Sequence, residues 1–198
     1  MTGHPVFARF CDVLMRPLEK LREPVIREAH GAVLEIGFGT GLNLPYYRNI
    51  TSLDAVEPDP YMCRRARQRI DAGSQSVTLH QVDAQALPFD DECFDSVVCT
   101  WTLCTIPDPE QALREVLRVL KPGGHLLYAE HTVSPHQPER LLQHMLNPVW
   151  HVCAAGCHLH RDTVQGIRDV GFGQVVDAPQ GWQRLTLIPI NIGRATKS

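Results

Sequence analysis

Three glycines at alternate positions mark a stretch that could hold a nucleotide-containing ligand, AVLEIGFGTGLN at residues 32–43. They follow an apolar run that is typical of a buried parallel strand, and residues 42–44 are predicted to begin a helix. Glycine lets the backbone turn sharply and approach a ligand, and a helix N-terminus offers free N–H groups to an anion. The dinucleotide fingerprint needs a glycine where this chain has Leu42, which counts against a nicotinamide cofactor.

A carboxylate, Glu57, follows the next predicted strand. In a βαβ unit, an acidic residue about twenty positions after the first glycine lies at the carboxyl end of the second strand, within reach of a ribose diol. Taken alone, Glu57 could also be an exposed acidic residue of a loop. Its combination with the glycine loop favours a nucleotide site.

Cysteine and histidine are concentrated in HVCAAGCHLH, residues 151–160, and these residue types suit zinc. The candidate ligands would be Cys153, Cys157, His158 and His160. Their spacing matches no usual structural zinc pattern, and the adjacent Cys157 and His158 cannot share one face of a helix. We therefore expect packed thiols and imidazoles that line a pocket, and no metal.

The composition indicates one globular domain, with 43% hydrophobic and 21% charged residues among 198. A net charge of −3 gives no electrostatic argument for nucleic acid, so we predict no nucleic-acid partner. No apolar run reaches the length of a membrane span, and the first residues show no signal-peptide core. Seven scattered cysteines suggest reduced thiols and a cytoplasmic location.

Alternating strand and helix patterns predict an α/β fold, a Rossmann-like, doubly wound, seven-stranded, mostly parallel sheet with helices on both faces. Residues 1–30 are predicted to form a helical extension of two or three short helices, and residues 31–198 the main domain. This extension could pack on the sheet, act as a lid or touch lipid. The predicted strands are 32–36, 52–58, 76–82, 93–99, 125–130, 172–177 and 185–189. The other predicted helices are 60–72, 108–120, 139–150 and 161–170, the last capped near His160, and residues 121–124 should form a turn.

The ordered series VLEIGFGTG, VEP, VDAQALPFDDECFDSVVC and LREVLRVLKPGG resembles the class I S-adenosylmethionine-dependent methyltransferases with a type 11 domain. The small-molecule branch with the ubiquinone and menaquinone C-methyltransferases is similar. The segments VVCTWTLCTI, AEHTVSP, NPVW and GCHLHRDT resemble the methyltransferase-like family of membrane-associated alkyl thiol S-methyltransferases.

This resemblance implies S-adenosylmethionine as cofactor, with S-adenosylhomocysteine as product. By position, the glycines would face the methionine part, Glu57 would bind the ribose, and Asp83 with the Ala84 amide would recognise adenine. Pro58 and Met62 could sandwich the adenine ring, while Phe38 and Trp101 could lie near the sulfonium. The full set of candidate cofactor-binding residues is Glu35, Gly37, Phe38, Gly39, Gly41, Asn43, Glu57, Pro58, Met62, Asp83, Ala84, Thr100 and Trp101.

The implied reaction is methyl transfer to a small hydrophobic acceptor, with a thiol favoured and a quinol or amino lipid as further options. His131 could take the acceptor's proton and Glu130 could orient it; His131 could also be a loop residue that only packs. A nicotinamide-dependent oxidoreductase and a cofactor-binding protein without catalysis are the alternatives.

The acceptor pocket should be built from the N-terminal helices, residues 100–106 and residues 139–161. In the helix predicted at 139–150, the apolar side would carry Leu141, Leu142, Met145 and Leu146. We expect a small-molecule partner and no transmembrane segment, and contact with a membrane surface is compatible with the apolar N-terminal helices.

Overall fold

A computed structural model of the chain describes residues 3, 5–177 and 188–198. It contains a seven-stranded sheet in the order β3-β2-β1-β4-β5-β7-β6, in which β7 runs antiparallel to both of its neighbours and the other pairs are parallel. The strands are β1 (His30–Ile36), β2 (Asn49–Val56), β3 (Thr78–His80), β4 (Phe94–Thr100), β5 (Leu120–His131), β6 (Gln174–Asp177) and β7 (Ile190–Thr196). The α-helices are α1 (Pro5–Met15), α2 (Glu19–Ile26), α3 (Pro60–Ala72), α4 (Pro109–Val119), α5 (Gln137–Cys153) and α6 (Thr163–Asp169).

Both faces of the sheet are covered because successive side chains of a strand point to opposite sides. Leu34 of β1 packs in a core with Leu113 of α4 and Ile167 of α6. The neighbouring Val33 packs in a second core with Ile26 of α2 and Ala66 of α3. The predicted doubly wound α/β class is therefore confirmed, and no helix in the part of the chain described here is long and apolar enough to cross a membrane.

The N-terminal extension is helical, as predicted, with a single 3₁₀ turn at Arg16–Leu18 between α1 and α2. Asp12 of α1 accepts a hydrogen bond from Thr40 in the glycine loop and forms ion pairs with Arg65 and Arg69 of α3 at 2.9 and 3.0 Å. A single carboxylate thus joins the extension to the glycine loop and to the main domain.

The helix predicted to begin at residues 42–44 is wrong, because only a 3₁₀ turn, Leu44–Tyr46, separates β1 from β2. The three glycines adopt left-handed φ angles of 71°, 58° and 81°, which break a right-handed helix. Tyr47 then returns to extended backbone and donates a 2.6 Å hydrogen bond to Glu35. The helix-terminus part of the ligand hypothesis therefore has no counterpart here.

Most other element bounds differ from the prediction by a few residues, and three further differences change the position or type of an element. The last strand is Ile190–Thr196 rather than 185–189, since pairing with β5 places it there; positions 185–187 lie outside the described residues. Asp162, whose carboxylate accepts from the Gln165 N–H, caps α6, in place of a cap near His160. Residues 121–124 do not form a separate turn but lie in β5 at a break in register with β4.

Candidate functional site

The carboxyl ends of the central strands meet at one cavity of about 690 Å³. This is the edge at which doubly wound sheets bind ligands. Its lining residues include the candidate cofactor residues and side chains of α1, of the loop after β4 and of the end of α5. A cavity of this size is within the usual range for small-molecule sites.

The glycine loop and Glu57 are brought together at the cavity wall. The Glu57 carboxylate accepts hydrogen bonds from the Gly39 N–H and the Asp59 N–H, both at 2.9 Å. A Cβ at Gly37 would lie 2.1 Å from Thr102 Oγ1, so the loop is packed as closely as glycine allows. Each carboxylate oxygen has one backbone donor, which leaves lone pairs free to accept from two ribose hydroxyls. The residues present therefore fit the ribose of a nucleoside cofactor.

A buried polar network supports the loop from the strand side. Asn43 donates to Glu35 at 2.8 Å and to Thr100 at 3.0 Å, and it accepts from Arg22 of α2 at 2.8 Å. Burial raises the pKa of Glu35 to about 7, and the hydrogen bonds from Tyr47 and Asn43 partly oppose this rise. Glu35, Asn43 and Thr100 line the cavity, so the network fixes its floor as well as the loop.

The proposed adenine residues also lie along the cavity. Pro58, Met62, Asp83 and Ala84 are all lining residues. Met62 packs against Ala8 and Cys11 of α1, so the N-terminal extension covers this part of the cavity. One oxygen of the Asp83 carboxylate accepts from both the backbone and the side chain of Gln85 at 3.0 Å. That arrangement fixes its orientation towards the cavity.

Trp101 lines the cavity in a strained backbone conformation, with φ 52°. The Arg22 guanidinium lies 4.6 Å from the ring centroid, and the indole Nε1 has no hydrogen-bond partner among the described residues. Phe38 also lines the cavity and is buried. Strain in a non-glycine residue is concentrated at functional sites and points to a role for Trp101 in holding a ligand.

The three segments predicted to build the acceptor pocket all contribute to this cavity. They supply Phe7 and Leu14 of α1, Ile106 of the loop after β4 and Trp150 near the end of α5. The apolar side predicted for α5 does not face this space. Leu141, Leu142, Met145 and Leu146 are 39–69% exposed. The periodic pattern identified an amphipathic helix, but the cavity lies at its last turn, so its apolar face points outward.

Three chemically active side chains meet at the cavity wall. Cys104, His131 and Cys157 are buried, line the cavity and have their ligand-type atoms within 4.8 Å of one another. His131 Nε2 lies 2.8 Å from Cys157 Sγ, and Trp150 Nε1 donates to the same sulfur at 3.2 Å. Hydrogen bonding from Cys104, reinforced by His131 and Trp150, lowers the pKa of the Cys157 thiol against the opposing effect of burial.

Glu130 is fully buried, and its carboxylate accepts from the Thr102 and Leu103 N–H groups at 2.8 and 3.1 Å. Burial raises its pKa to about 7. The expected role of orienting His131 is not supported by these partners. Glu130 instead holds the backbone that precedes Cys104, which makes it a positioning residue.

The four candidate zinc ligands of residues 151–160 do not converge on one point. The His158 and His160 rings lie 5.9 Å apart edge to face, with His151 and His144 against them at 4.5 Å, and Cys153 is exposed. Only Cys157 of the four candidates joins the buried group of potential ligands. Its partners come from distant parts of the chain, Cys104 from the loop after β4 and His131 from the end of β5.

Sequence reasoning missed Arg22, Asp12 and the Cys104–Cys157 pair as parts of the site. Asp12 and Arg22 are charged residues within apolar helical patterns, which is a signal for a buried partner. Cys104 and Cys157 are 53 positions apart, by subtraction of their numbers. Nothing in their spacing predicts that contact.

Comparisons with known proteins agree with this geometry. A family model described as a methyltransferase domain matches residues 34–128. The thiol S-methyltransferase TMT1B of Rattus norvegicus is 34% identical over 173 residues, covering 83% of this chain and 70% of that protein. The phosphatidylethanolamine N-methyltransferase of Cereibacter sphaeroides is 35% identical over 128 residues, covering 61% and 63%.

A solved structure of the phospholethanolamine N-methyltransferase 2 of Haemonchus contortus, in complex with phosphomonomethylethanolamine and S-adenosylhomocysteine, has the same fold. It superposes with a TM-score of 0.68 at 14% identity, covering 90% of this chain and 52% of that one. The family match and the thiol S-methyltransferase relatives support S-adenosylmethionine as the cofactor and do not support the nicotinamide alternative. The chain therefore belongs to the class I S-adenosylmethionine-dependent methyltransferases and is an enzyme of that family.

Proposed function

We propose that this enzyme transfers the methyl group of S-adenosylmethionine to the sulfur of a small hydrophobic thiol. The observation that carries the proposal is that a single cavity is lined both by the candidate cofactor residues and by apolar side chains of α1 and α5. The likeness to thiol S-methyltransferases supports a sulfur acceptor. The likeness to a phosphatidylethanolamine N-methyltransferase makes an amino lipid the second candidate.

The bound cofactor supplies a methyl group on a positively charged sulfur, which needs no activation by the protein. In our proposal, the Glu57 carboxylate binds the ribose hydroxyls, and Asp83 with the Ala84 amide binds the adenine edge. Trp101 and Phe38 present aromatic faces that favour a neighbouring cation. The glycine loop, packed against Thr102, keeps the cofactor in one orientation.

The apolar side chains that line the cavity hold the acceptor in line with the methyl group and exclude water. Such positioning supplies up to roughly 7–11 kcal/mol in favourable reactions. The acceptor thiol must also lose its proton, and we assign that task to His131. The new carbon–sulfur bond forms as the carbon–sulfur bond of the cofactor breaks, so a cation becomes a neutral thioether.

A tritiated-methyl assay with matched acceptors tests this proposal. Alkyl thiols should be labelled, and quinols and phosphatidylethanolamine should not. The His131→Gln variant should bind S-adenosylhomocysteine as the wild type does and turn over roughly 10²–10⁴-fold more slowly. Label transferred to phosphatidylethanolamine and not to thiols would assign the enzyme to the second candidate. The cytoplasmic location suggested by the cysteine content stays a prediction.

A further inference from the structure

The buried group of Cys104, His131 and Cys157 has the composition and shape of a metal site with an open position. Two sulfurs and one imidazole nitrogen lie within 4.8 Å of one another. A tetrahedral zinc ion, with bonds of about 2.3 Å to sulfur and about 2.0–2.1 Å to nitrogen, holds such atoms roughly 3.5–3.8 Å apart. The His131 Nε2 to Cys157 Sγ distance is 2.8 Å and no separation exceeds 4.8 Å, so the distances that zinc requires lie between these limits and are reached by small side-chain adjustments.

Hydrogen bonds join the three backbone segments that carry Cys104, His131 and Cys157. The Arg161 guanidinium donates to the carbonyls of Leu103 and Ile106 at 2.6 and 2.7 Å, and the His158 N–H donates to the Cys104 carbonyl at 3.0 Å. The Thr163 hydroxyl donates to the His131 carbonyl at 2.9 Å. The three side chains are thus presented together by the fold and not by chance contact of mobile loops.

The surroundings of the sulfurs resemble those of a metal ligand. The Trp150 indole N–H donates to Cys157 Sγ at 3.2 Å, as the outer partners of metal-bound ligands commonly do. The Arg161 guanidinium, which donates to the Leu103 and Ile106 carbonyls on either side of Cys104, places a positive charge near both Cys104 and Cys157. Two thiolates and a neutral imidazole are donors that select zinc over magnesium or calcium.

We propose that Cys104, His131 and Cys157 bind a zinc ion whose fourth position, open to the cavity, takes the acceptor thiol. Structural zinc sites have four protein ligands, whereas catalytic sites have three and an open position. All three of these ligands line the cavity. The proposal departs from our expectation of no metal, which considered only the spacing within residues 151–160.

The ion would carry out the deprotonation that we assigned to His131. A thiol binds zinc as its thiolate, so its proton is released to solvent on binding. The sulfur lone pair then forms the bond to the methyl carbon, and the electron pair of the breaking bond stays on the sulfur of S-adenosylhomocysteine. The product thioether is neutral and a weaker ligand, so it leaves the ion. This last step rests on the proposed thiol acceptor, whereas the binding of the ion does not.

Cobalt binding by the untagged, reduced full chain tests the site without reference to activity. The chain, freed of metal by a chelator, is titrated with Co²⁺ and then with Zn²⁺. We expect one equivalent of Co²⁺ to give the visible bands of a tetrahedral site and the sulfur-to-cobalt charge-transfer band in the near ultraviolet. One equivalent of Zn²⁺ should abolish both.

Variants separate the site from general cysteine binding. Cys104→Ser and Cys157→Ser should each weaken zinc binding on the order of 100-fold or more, since they remove a ligand. Trp150→Phe, which keeps the ring and loses only the N–H, should weaken it roughly 10-fold and guards against failure of the serine variants to fold. Cys93→Ser, a half-buried cysteine outside the cavity, should bind as the wild type does. Absence of the charge-transfer band, or its persistence in Cys104→Ser and Cys157→Ser, overturns the proposal.

Addition of butanethiol then tests the fourth position. A third thiolate should strengthen the charge-transfer band. An unchanged band would contradict thiol ligation and leave the metal site standing, while methyl transfer to thiols by a protein that binds no zinc would contradict the site and leave the proposed function standing.

Discussion

At the residue scale, Glu57 is a buried side chain that must also be ionised to bind the proposed ligand. It is 8% exposed, and its oxygens are held by the backbone of Gly39 and Asp59. Burial raises its pKa to about 7, with those two hydrogen bonds opposing the rise. The ionised form is therefore costly in the free protein, and ligand hydroxyls should bind it strongly.

Removal of this carboxylate should weaken the cofactor complex. Glu57→Ala is expected to reduce the binding free energy of S-adenosylhomocysteine by about 1.5–3 kcal/mol, the range for hydrogen bonds to a charged group. Glu23→Gln, which removes an exposed carboxylate of α2, is the matched control and should bind normally. Calorimetry that gives Glu57→Ala wild-type affinity would remove Glu57 from the site.

The raised pKa of Glu57 also predicts a pH dependence of binding. Because the carboxylate is the binding form, affinity should be constant above pH 7 and fall below it, by at most tenfold per pH unit. Glu35, whose pKa is also about 7, faces the same cavity, so Glu35→Gln is compared in parallel. The slope should persist in Glu35→Gln and vanish in Glu57→Gln. Calorimetric affinities of the wild type that are equal at pH 6 and pH 8 would refute this.

At the element scale, β1, β2 and β4 were predictable to within three residues because buried parallel strands are short apolar runs with turn residues on either side. The last strand was predicted at the wrong residues, since its place depends on pairing with β5. Helix α3 has the predicted bounds, since Pro60 starts it behind the Asp59 cap. The loop after β1 was not predictable as a non-helical connection, because the burial of Tyr47 against Glu35 fixes its path. The local sequence pattern does not predict such tertiary contacts.

Some residues of the candidate site could be located from the sequence and others could not. Glu57 and the glycines could be located from the sequence because they sit at fixed places in a βαβ unit. The Cys104–His131–Cys157 group could not be located from the sequence, since it depends on how two loops pack against the end of β5. The outward direction of the α5 apolar face was likewise invisible, because periodicity identifies an apolar side but not what covers it.

The Asp12 link predicts how α1 is attached. Asp12→Asn removes the charge that pairs with Arg65 and Arg69, so α1 should open more often. We expect roughly tenfold faster amide exchange in α1 and a weaker complex with S-adenosylhomocysteine, as charged hydrogen bonds contribute about 1.5–3 kcal/mol and these are partly screened. Glu23→Gln again serves as control. Unchanged exchange in α1 would show that packing alone attaches this helix.

On the scale of the whole molecule, two helices that flank the cavity leave apolar faces exposed. On α1 these residues are Val6, Phe10, Val13 and Leu14, and on α5 they are Leu141, Leu142, Met145, Leu146, Val149 and Val152. Exposed apolar area of this extent usually marks an interaction surface. Because α1 and α5 also line the cavity, we propose a phospholipid surface as the partner of these faces, from which a hydrophobic acceptor would enter.

Binding to phosphatidylcholine vesicles tests this surface. The double variant Met145→Glu, Val149→Glu should lose at least about tenfold in vesicle affinity, because burial of each apolar side chain contributes roughly 1.5–3 kcal/mol. Its affinity for S-adenosylhomocysteine should not change. Gln68→Glu with Ser74→Glu, exposed positions in and after α3, makes the same charge change elsewhere and should bind vesicles normally. Cosedimentation that is equal for both variants would exclude this face as the contact.

The proposed function depends on one reaction, the methylation of a thiol sulfur. Its most direct measurement is mass spectrometry of the products when the enzyme is supplied with deuteromethyl-labelled S-adenosylmethionine and a small alkyl thiol. We predict a thioether that carries the intact deuterated methyl group on sulfur and appears in equal amount with S-adenosylhomocysteine. Release of S-adenosylhomocysteine without thioether, or no consumption of the cofactor while it is bound, would contradict the account.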